Sequence, residues 1–428
     1  MEFKNLETIK ITLKDQKEVK NIKELCKLIE ERISYPITTL LNVIMYGSIK
    51  LDASDIHFET LKDEVLLRLR VDGVLHDVLR FPIKVYEQLL SRIKLLSKMK
   101  LNIENKPQDG RFSVFLEGND TLIEIRSSTL PSENGESVVM RILNPKNLKD
   151  ISELGIREDL MDIFYRAVKE PTGLIITTGP TGSGKTTTLY AFLKSVKSPE
   201  VKIITIEDPI EYHLEGITQT QVSDHYSFAD GLKSIMRQDP DVILVGEIRD
   251  EETAKIAVQA SLTGHKVFST VHANEAIGVI SRLKTLGVKV SDLASALTMC
   301  IAQRLIRKVC TYCAEKEKPN QELIKKIKEN LENISPQVRV PDISSIFILK
   351  EKGCEKCNFT GFKGRVGIFE AFLLDDELRE MIIIGESQVS IKRKLIQKGM
   401  TTLKQDAIIK MLEGKTTLSE VERVVGMI

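Results

Sequence analysis

Little in this chain marks it for an oxidising compartment, a membrane or a nucleic acid. Six cysteines in 428 residues are too few for a disulfide framework. No uninterrupted apolar stretch approaches the about 18 residues that a membrane span requires. The opening MEFKNLETIK has neither a basic start followed by an apolar run nor an Arg-rich presequence. Lys plus Arg number 62 against 61 Asp plus Glu, so a formal charge of +1 supplies no global pull toward polyanions. At 5% aromatic residues there are few rings to stack on bases. These absences predict a cytoplasmic protein with no direct nucleic-acid partner, which meets a membrane only through a partner or by lying on its surface.

The length suggests two to four domains. Up to residue 143 helices and strands mix: YEQLLSRIKLLSKM (86 to 99) carries Leu89, Leu90, Ile93 and Leu96 on one helical stripe, while EVLLRLRVDGVL and TLIEIRSSTL alternate like half-buried strands. We divide the chain into a short N-terminal segment (1–35), a small α+β domain (36–143), a hinge (144–155) containing Asn-Pro, an α/β core (156–305), a cysteine-bearing module (306–365) and a helical C-terminal part (366–428). In the core, GLIITTG, KIITIED, VILVGE and HKVFSTV are short apolar runs between helical stretches, the pattern of parallel strands covered on both faces, and their ends are natural ligand sites. Cys26 and Cys300 lie in apolar helical patterns as small buried hydrophobes. The insert QELIKKIKENLENI is expected to be an exposed helix. Near the end, Gly414 suits a helix C-cap, and Thr417 with Glu420 fits a capping box.

The segment Gly179-Pro180-Thr181-Gly182-Ser183-Gly184-Lys185-Thr186 fits GxxxxGK[ST] and lies between a strand and the helical TTTLYAFLKSV that begins with Thr186 and Thr187. Its glycines let backbone N–H groups converge on phosphate at a helix N-terminus, Lys185 adds charge toward the β and γ oxygens of ATP, and the Thr186 hydroxyl can complete a Mg²⁺ shell. VILVGEIRD ends a buried strand in an acid, but Gly246 and Glu247 stand where the usual aspartate would be, leaving Glu247 to supply the carboxylate. ITIEDPIEY puts Glu207, Asp208 and Glu211 around one strand end, where three acids repel each other without a cation; an acidic surface loop has the same look. STVHANE offers His272 just past a strand, able to touch a γ-phosphate or to serve structure alone, and His265 suits a turn after Gly264. Cys310-Thr-Tyr-Cys313 and Cys354-Glu-Lys-Cys357 can close one tetrahedral zinc site if the residues between them loop out; two coincidental pairs of reduced thiols are the alternative.

Together these segments resemble the secretion ATPases of type II secretion and type IV pilus assembly. ITIEDPIEY is similar to the family's Asp box, RQDPDVILVGEIRD to its atypical Walker B, TGHKVFSTVHAN to its His box and the cysteine pairs to its tetracysteine zinc motif. Upstream, ASDIHFE, LRVDGVL, KPQDGR and STLPSENGESVVMRIL are similar to the domain preceding the ATPase core, so the resemblance runs from residue 35 to the C-terminus. The run before PQDGR is shortened to IENKPQDGR, and most of the N-terminal domain with which many members dock on a membrane partner has no match.

The resemblance implies a RecA-like P-loop core, a preceding PAS-like α+β domain, a zinc-pinned insert and a helical C-terminal part. It implies Lys185 and Thr186 as phosphate and magnesium ligands, Glu211 as general base, Glu247 as Walker B carboxylate and His272 as γ-phosphate sensor. Arg126 and Arg141 become arginine fingers, with Arg111 a third candidate. It further implies a homo-hexamer hydrolysing Mg-ATP, domains turning about the 144–155 hinge, and an inner-membrane platform protein, with a cytoplasmic docking protein, as partners. A pilus retraction motor, a RecA-like nucleic-acid motor and a non-hydrolysing nucleotide sensor are the rival expectations; the cysteines count against the first, charge balance and scarce aromatics against the second.

Overall fold

The computed structural model describes residues 7–13, 16–118, 121–343 and 346–428. The chain forms two units: one runs to Asn147 and takes in Cys310–Ala314 and Glu351–Gly364, and the other comprises Leu148–Val309, Glu315–Lys350 and Arg365–Ile428.

The first unit is built on strands β1 (Thr8–Ile11), β2 (Ala53–Thr60), β3 (Glu64–Val71), β4 (Val74–Pro82), β5 (Gln108–Leu116), β6 (Thr121–Ser132) and β7 (Gly135–Leu143), with helices α1 (Ile22–Glu30), α2 (Ile37–Lys50) and α3 (Ile83–Leu96). Their sheet order is β1-β5-β6-β7-β2-β3-β4. The alternation in EVLLRLRV sends Val65, Leu67 and Leu69 into a core with Leu41, Ile44, Leu89 and Ile93 of the helices. Asp72 and Gly73, both at positive φ, form the two-residue turn that matches strand twist between β3 and β4. The described part of residues 1–35 is built into this unit, since β1 pairs parallel to β5 and Leu25, Leu28 and Ile29 of α1 join the core; residues 1–6, 14 and 15 of that segment lie outside the described residues.

The second unit carries α4 (Glu158–Lys169), β8 (Gly173–Thr178), α5 (Lys185–Val196), β9 (Ile203–Glu207), β10 (Thr218–Gln221), α6 (Phe228–Ile235), β11 (Val242–Val245), α7 (Glu251–Leu262), β12 (Lys266–Val271), α8 (Gly278–Thr285), α9 (Val290–Ala296) and β13 (Leu297–Val309). After these come β14 (Glu315–Glu317), α10 (Gln321–Leu331), β15 (Ile348–Lys350), β16 (Phe362–Leu373), α11 (Asp376–Ile383), α12 (Gln388–Gln397), α13 (Leu403–Leu412) and α14 (Leu418–Val425). The main sheet runs β10-β9-β11-β12-β8-β13-β16. Six of these strands, β10 to β13 in that order, pair in parallel. Counted from the strand before the phosphate loop, the order β13-β8-β12-β11-β9 is 5-1-4-3-2, the RecA-like arrangement.

Alternate residues of these strands serve opposite cores. Ile175, Phe268 and Met299 meet Phe164 of α4 and Phe192 of α5, while Ile176, Val245 and Val271 meet Leu232, Ala257 and Leu283. Phe164 stacks edge-on against Phe192 and Phe369 at centroid distances of 5.7 and 5.9 Å. Each such buried ring contributes roughly 1.5–3 kcal/mol by transfer alone, and burial on both faces accounts for the unbroken apolar runs of the sequence.

Three expectations are corrected here. Cys300 is fully buried, but on strand β13 and not on a helix, because a short apolar run buried on both faces lacks a period that separates strand from helix. The helix of the insert, α10, is not simply exposed, since Ile327 and Leu331 enter the core. Thr417 does cap α14, accepting from Glu420 N–H at 3.4 Å, but the Glu420 carboxylate turns away from the box to bind Arg307 and Arg423.

Candidate functional site

Strand β8 delivers the chain to the phosphate loop, and α5 leaves it with Gly184 as its left-handed N-cap at φ 89°. Two glycines are dictated by close approach as well as by conformation. A Cβ at Gly179 would lie 2.5 Å from the Gln303 carbonyl oxygen, and one at Gly184 would lie 2.8 Å from Gln303 Nε2. Gln303, buried on β13, also accepts a 2.7 Å hydrogen bond from Thr188 of α5, so the strand beside β8 braces both ends of the loop. Pro180, Thr181 and Gly182 form its tip, Ser183 is buried, and Thr186 stands exposed in the first helical turn with Thr187 half-buried beside it.

The half-buried Lys185 ammonium donates to the carbonyl oxygens of Gly179 at 2.8 Å and Pro180 at 3.1 Å. Burial lowers its pKa from the ordinary lysine range; the Glu247 carboxylate opposes that shift and Arg304 adds to it. Glu247 lies just past β11, where Gly246 N–H donates to Ile206 O at 2.8 Å and Ile248 N–H to Thr270 O at 2.9 Å, so both neighbouring strands hold the turn. Asp250 then caps α7 by accepting from Thr253 N–H at 2.8 Å. Glu247 pairs with Arg249, and its other oxygen lies 3.7 Å from His272 Nε2. Lys185, Glu247 and His272 thus gather at the carboxyl ends of three parallel strands in the interior of the sheet. His265 is apart from them, its Nδ1 2.9 Å from Ala260 O in the turn after α7.

The three acids at the end of β9 stand in different surroundings, although the Glu211 charge still reaches Glu207. Glu207, the last residue of β9, is buried: only 3% exposed, it accepts from Tyr190, from Thr205 at 2.6 Å and from Gln219 at 3.1 Å. Burial raises its pKa, with those three donors opposing. Asp208 is exposed and Glu211 half-buried on the loop that follows. Gln219 steadies this loop, donating to Tyr212 O at 3.0 Å and accepting from Leu214 N–H at 2.8 Å. No period in the sequence marks Glu207 as the inward one, because β9 is buried along its whole length.

Within the first unit, strand register aligns residues that no sequence spacing connects. Arg111 is directly opposite Arg126, Arg126 opposite Arg141, Arg141 opposite Asp55, and Asp55 opposite Arg70. Arg141 Nε donates to Asp55 at 3.1 Å, Arg70 lies 3.5 Å from the same carboxylate, and Arg126 is 3.4 Å from Glu124. Three arginines side by side on adjacent strands oppose sheet stability. They share the sheet face that exposes Leu122, Leu130 and Val139. Asp55 and Arg70 were missed by sequence reasoning as members of this row.

The four cysteine sulfurs lie within 4.8 Å of one another, with Cys310–Cys354 at 3.9 Å and Cys313–Cys357 at 3.8 Å. A tetrahedral S₄ zinc site with about 2.3 Å bonds has sulfur–sulfur edges of about 3.8 Å, so the donor set fits that metal. Backbone N–H groups of Gly353, Cys354 and Gly361 point at the sulfurs of Cys313 and Cys357 at 3.2 to 3.3 Å, favouring thiolates. The knuckles are fixed to the N-terminal sheet and helices of their unit: Asn358 accepts from Ile22 N–H at 2.8 Å, and Asp72 from Gly364 N–H at 2.7 Å.

The strand order, the phosphate loop on its first strand and the carboxylate on its third define a RecA-like P-loop ATPase. A profile of type II/IV secretion system proteins matches residues 30–423, and the chain belongs to that family. It is 45% identical over 393 residues to the type II secretion system protein E of Dickeya dadantii, covering 91% of this chain and 76% of that one. The type IV pilus assembly ATPase PilB of Myxococcus xanthus is 39% identical over 415 residues, with 95% and 70% covered. Among solved structures, the pilus retraction motor PilT with bound ADP superposes with a TM-score of 0.60 at 26% identity over 89% of this chain and 95% of that one. No described helix is long and apolar enough to cross a membrane.

Proposed function

We propose that the chain is the ATPase of a type IV pilus assembly or type II protein secretion machine, working as a homo-hexamer on an inner-membrane platform protein, with a cytoplasmic docking protein as a second contact. The observation that carries the catalytic part is the convergence of Lys185, Glu247 and His272 at the end of the phosphate-loop strand and its neighbours. Lys185 exchanges its loop carbonyls for the β and γ oxygens of ATP, and backbone N–H groups at the start of α5 receive the phosphates. The exposed Thr186 hydroxyl and the Glu247 carboxylate are oxygen donors that suit Mg²⁺, which when bound neutralises charge on the transferring phosphoryl group. Glu211, on the loop steadied by Gln219, orients the attacking water and takes its proton, and His272 contacts the γ-phosphate.

Arg126 and Arg141 act as arginine fingers on the nucleotide of an adjoining subunit. Support for this reading comes from the row itself, whose repulsion an incoming polyanion relieves, and from the exposed Leu122 and Leu130 on the same face, which suit a subunit contact. The row favours an oligomer over a monomer.

Glu247→Gln tests the assignment of the Walker B position. The amide keeps the volume of the side chain and removes its charge, so ATP binding persists while steady-state turnover falls by about 10²- to 10⁴-fold. Turnover at the wild-type rate would remove Glu247 from the mechanism.

We further propose zinc in the four-cysteine site. In a segment with few apolar residues the free energy of metal binding is folding free energy, so protein purified without chelator should carry one zinc per chain. Replacing Cys357 by serine should abolish that content and open the knuckles to limited proteolysis. Stoichiometric protein without metal would exclude the assignment.

A further inference from the structure

His272 is loosely held: its ring is 55% exposed, and among the described residues its charged contact is Glu247 at 3.7 Å. Its position therefore depends on what holds the irregular segment 273–276 between β12 and α8. That segment is tied at every residue, and from four different elements. Ala273 N–H donates to Thr178 Oγ1 on β8 at 2.7 Å. The Asn274 carbonyl accepts from Arg304 Nη2 on β13 at 2.8 Å. Glu275 pairs with Lys392 of α12. Ala276 N–H donates to Glu370 Oε1 on β16 at 2.8 Å, and the other oxygen of that carboxylate accepts from Leu403 N–H at 3.3 Å.

Two of these ties are more than ordinary loop contacts. Glu370 is only 2% exposed, and an acid buried so far persists only where its oxygens are satisfied. Arg304 sends its second nitrogen to the carbonyl of Gln303 at 3.0 Å, the residue against which Gly179 and Gly184 are packed. A single guanidinium thus spans from the phosphate loop's brace to the backbone beside His272. A planar fork on a short, half-buried path holds two carbonyls in fixed relation better than a flexible ammonium does.

We propose that Arg304 and Glu370 are positioning residues for hydrolysis: they clamp segment 273–276 so that His272 stands at a fixed place relative to the phosphate loop. The inference rests on the reading that His272 acts at the γ-phosphate. Neither residue touches the reacting atoms in this account. Displacing a reacting group by about 1 Å costs on the order of 100-fold, so the clamp should govern kcat and leave nucleotide affinity largely alone.

The test is a double-mutant cycle on steady-state ATPase of the full chain, with Arg304→Ala, Arg304→Lys and Glu370→Gln each made alone and combined with His272→Ala. Arg304→Ala is expected to lower kcat roughly 10- to 100-fold with KM for ATP within about threefold. Arg304→Lys should recover part of that loss, since an ammonium still reaches one carbonyl. In the His272→Ala background the same substitutions should cost less than about twofold, because nothing remains to be positioned. Equal losses with and without His272, or a loss confined to KM, would overturn the clamp while leaving the ATPase reading intact. Full turnover in His272→Ala would overturn the clamp through its premise. Should Arg304→Ala lose its melting transition, Lys392→Ala provides the same cycle from a half-exposed ion pair, with a smaller expected loss of about two- to fivefold that must also vanish without His272.

Discussion

Replacing Lys185 by alanine is expected to lower ATP turnover by at least about 100-fold with the fold unchanged. The ammonium is half-buried at the start of α5, and the Gly179 and Pro180 carbonyls to which it donates border the exposed tip of the loop, where water can replace it. Its loss leaves no charged group in the loop to meet the β and γ oxygens, because the remaining donors there are backbone N–H groups and hydroxyls. Arg304, whose charge also acts on Lys185, is committed to the carbonyls of Gln303 and Asn274 and cannot substitute without releasing them. Steady-state hydrolysis alongside a thermal melt checks this. Turnover above a tenth of wild type, with a normal melt, would show that the loop is not the catalytic phosphate site.

The second large effect concerns the arginine row. Alanine at both Arg126 and Arg141 should reduce kcat by about 10³-fold or more, yet it should not destabilise the protein. In the ground state Arg126 faces arginines on both neighbouring strands, and relieving like charges directly opposite one another is worth roughly 0.2–1 kcal/mol per pair. Asp55 keeps Arg70 as a partner after Arg141 is removed. A double variant with low activity and an unchanged or raised melting temperature is the combination expected of groups held for an anion. Mixing it with the Lys185→Ala chain makes the assignment stricter. If each cleft takes its phosphate loop from one subunit and its guanidinium groups from the next, two inactive proteins should recover measurable turnover together. Absence of any recovery in the mixed protein, shown to be co-assembled, would place the arginines and the loop in the same subunit or take the arginines out of catalysis.

The parts of the site that lie in contiguous residues could be read directly. GPTGSGKT states a strand, a glycine-rich turn, a lysine and a helix start within eight positions, and the structure builds that sequence of elements around φ values that glycine alone tolerates easily. The two cysteine pairs are equally local, and their geometry fits one metal. Other parts were hidden for stated reasons. Cys300 was read as helical because LTMCIAQRL is buried on both faces and carries no alternation. The insert helix looked exposed because Lys and Glu crowd it, while two residues, Ile327 and Leu331, suffice to seat it. Glu420 looked like the partner of its own cap, and two arginines compete for it more strongly than a backbone N–H does.

By itself the sequence determined which chemistry is present: a phosphate loop, a carboxylate after an apolar strand, a histidine after another and four thiols in two knuckles. Each depends on residues a few positions apart, whose spacing translates directly into a turn or a strand end. The tertiary structure alone decided which groups face one another. Glu207 turns inward while Glu211 stays on the loop, five charged residues from five strands fall into one row, and Arg304 and Glu370 meet the loop beside His272 from strands far along the chain. The reason is register: moving one strand by a single residue would turn all of that strand's side chains to the opposite face and take them out of these contacts. That register is set by the burial of two whole cores, not by any motif.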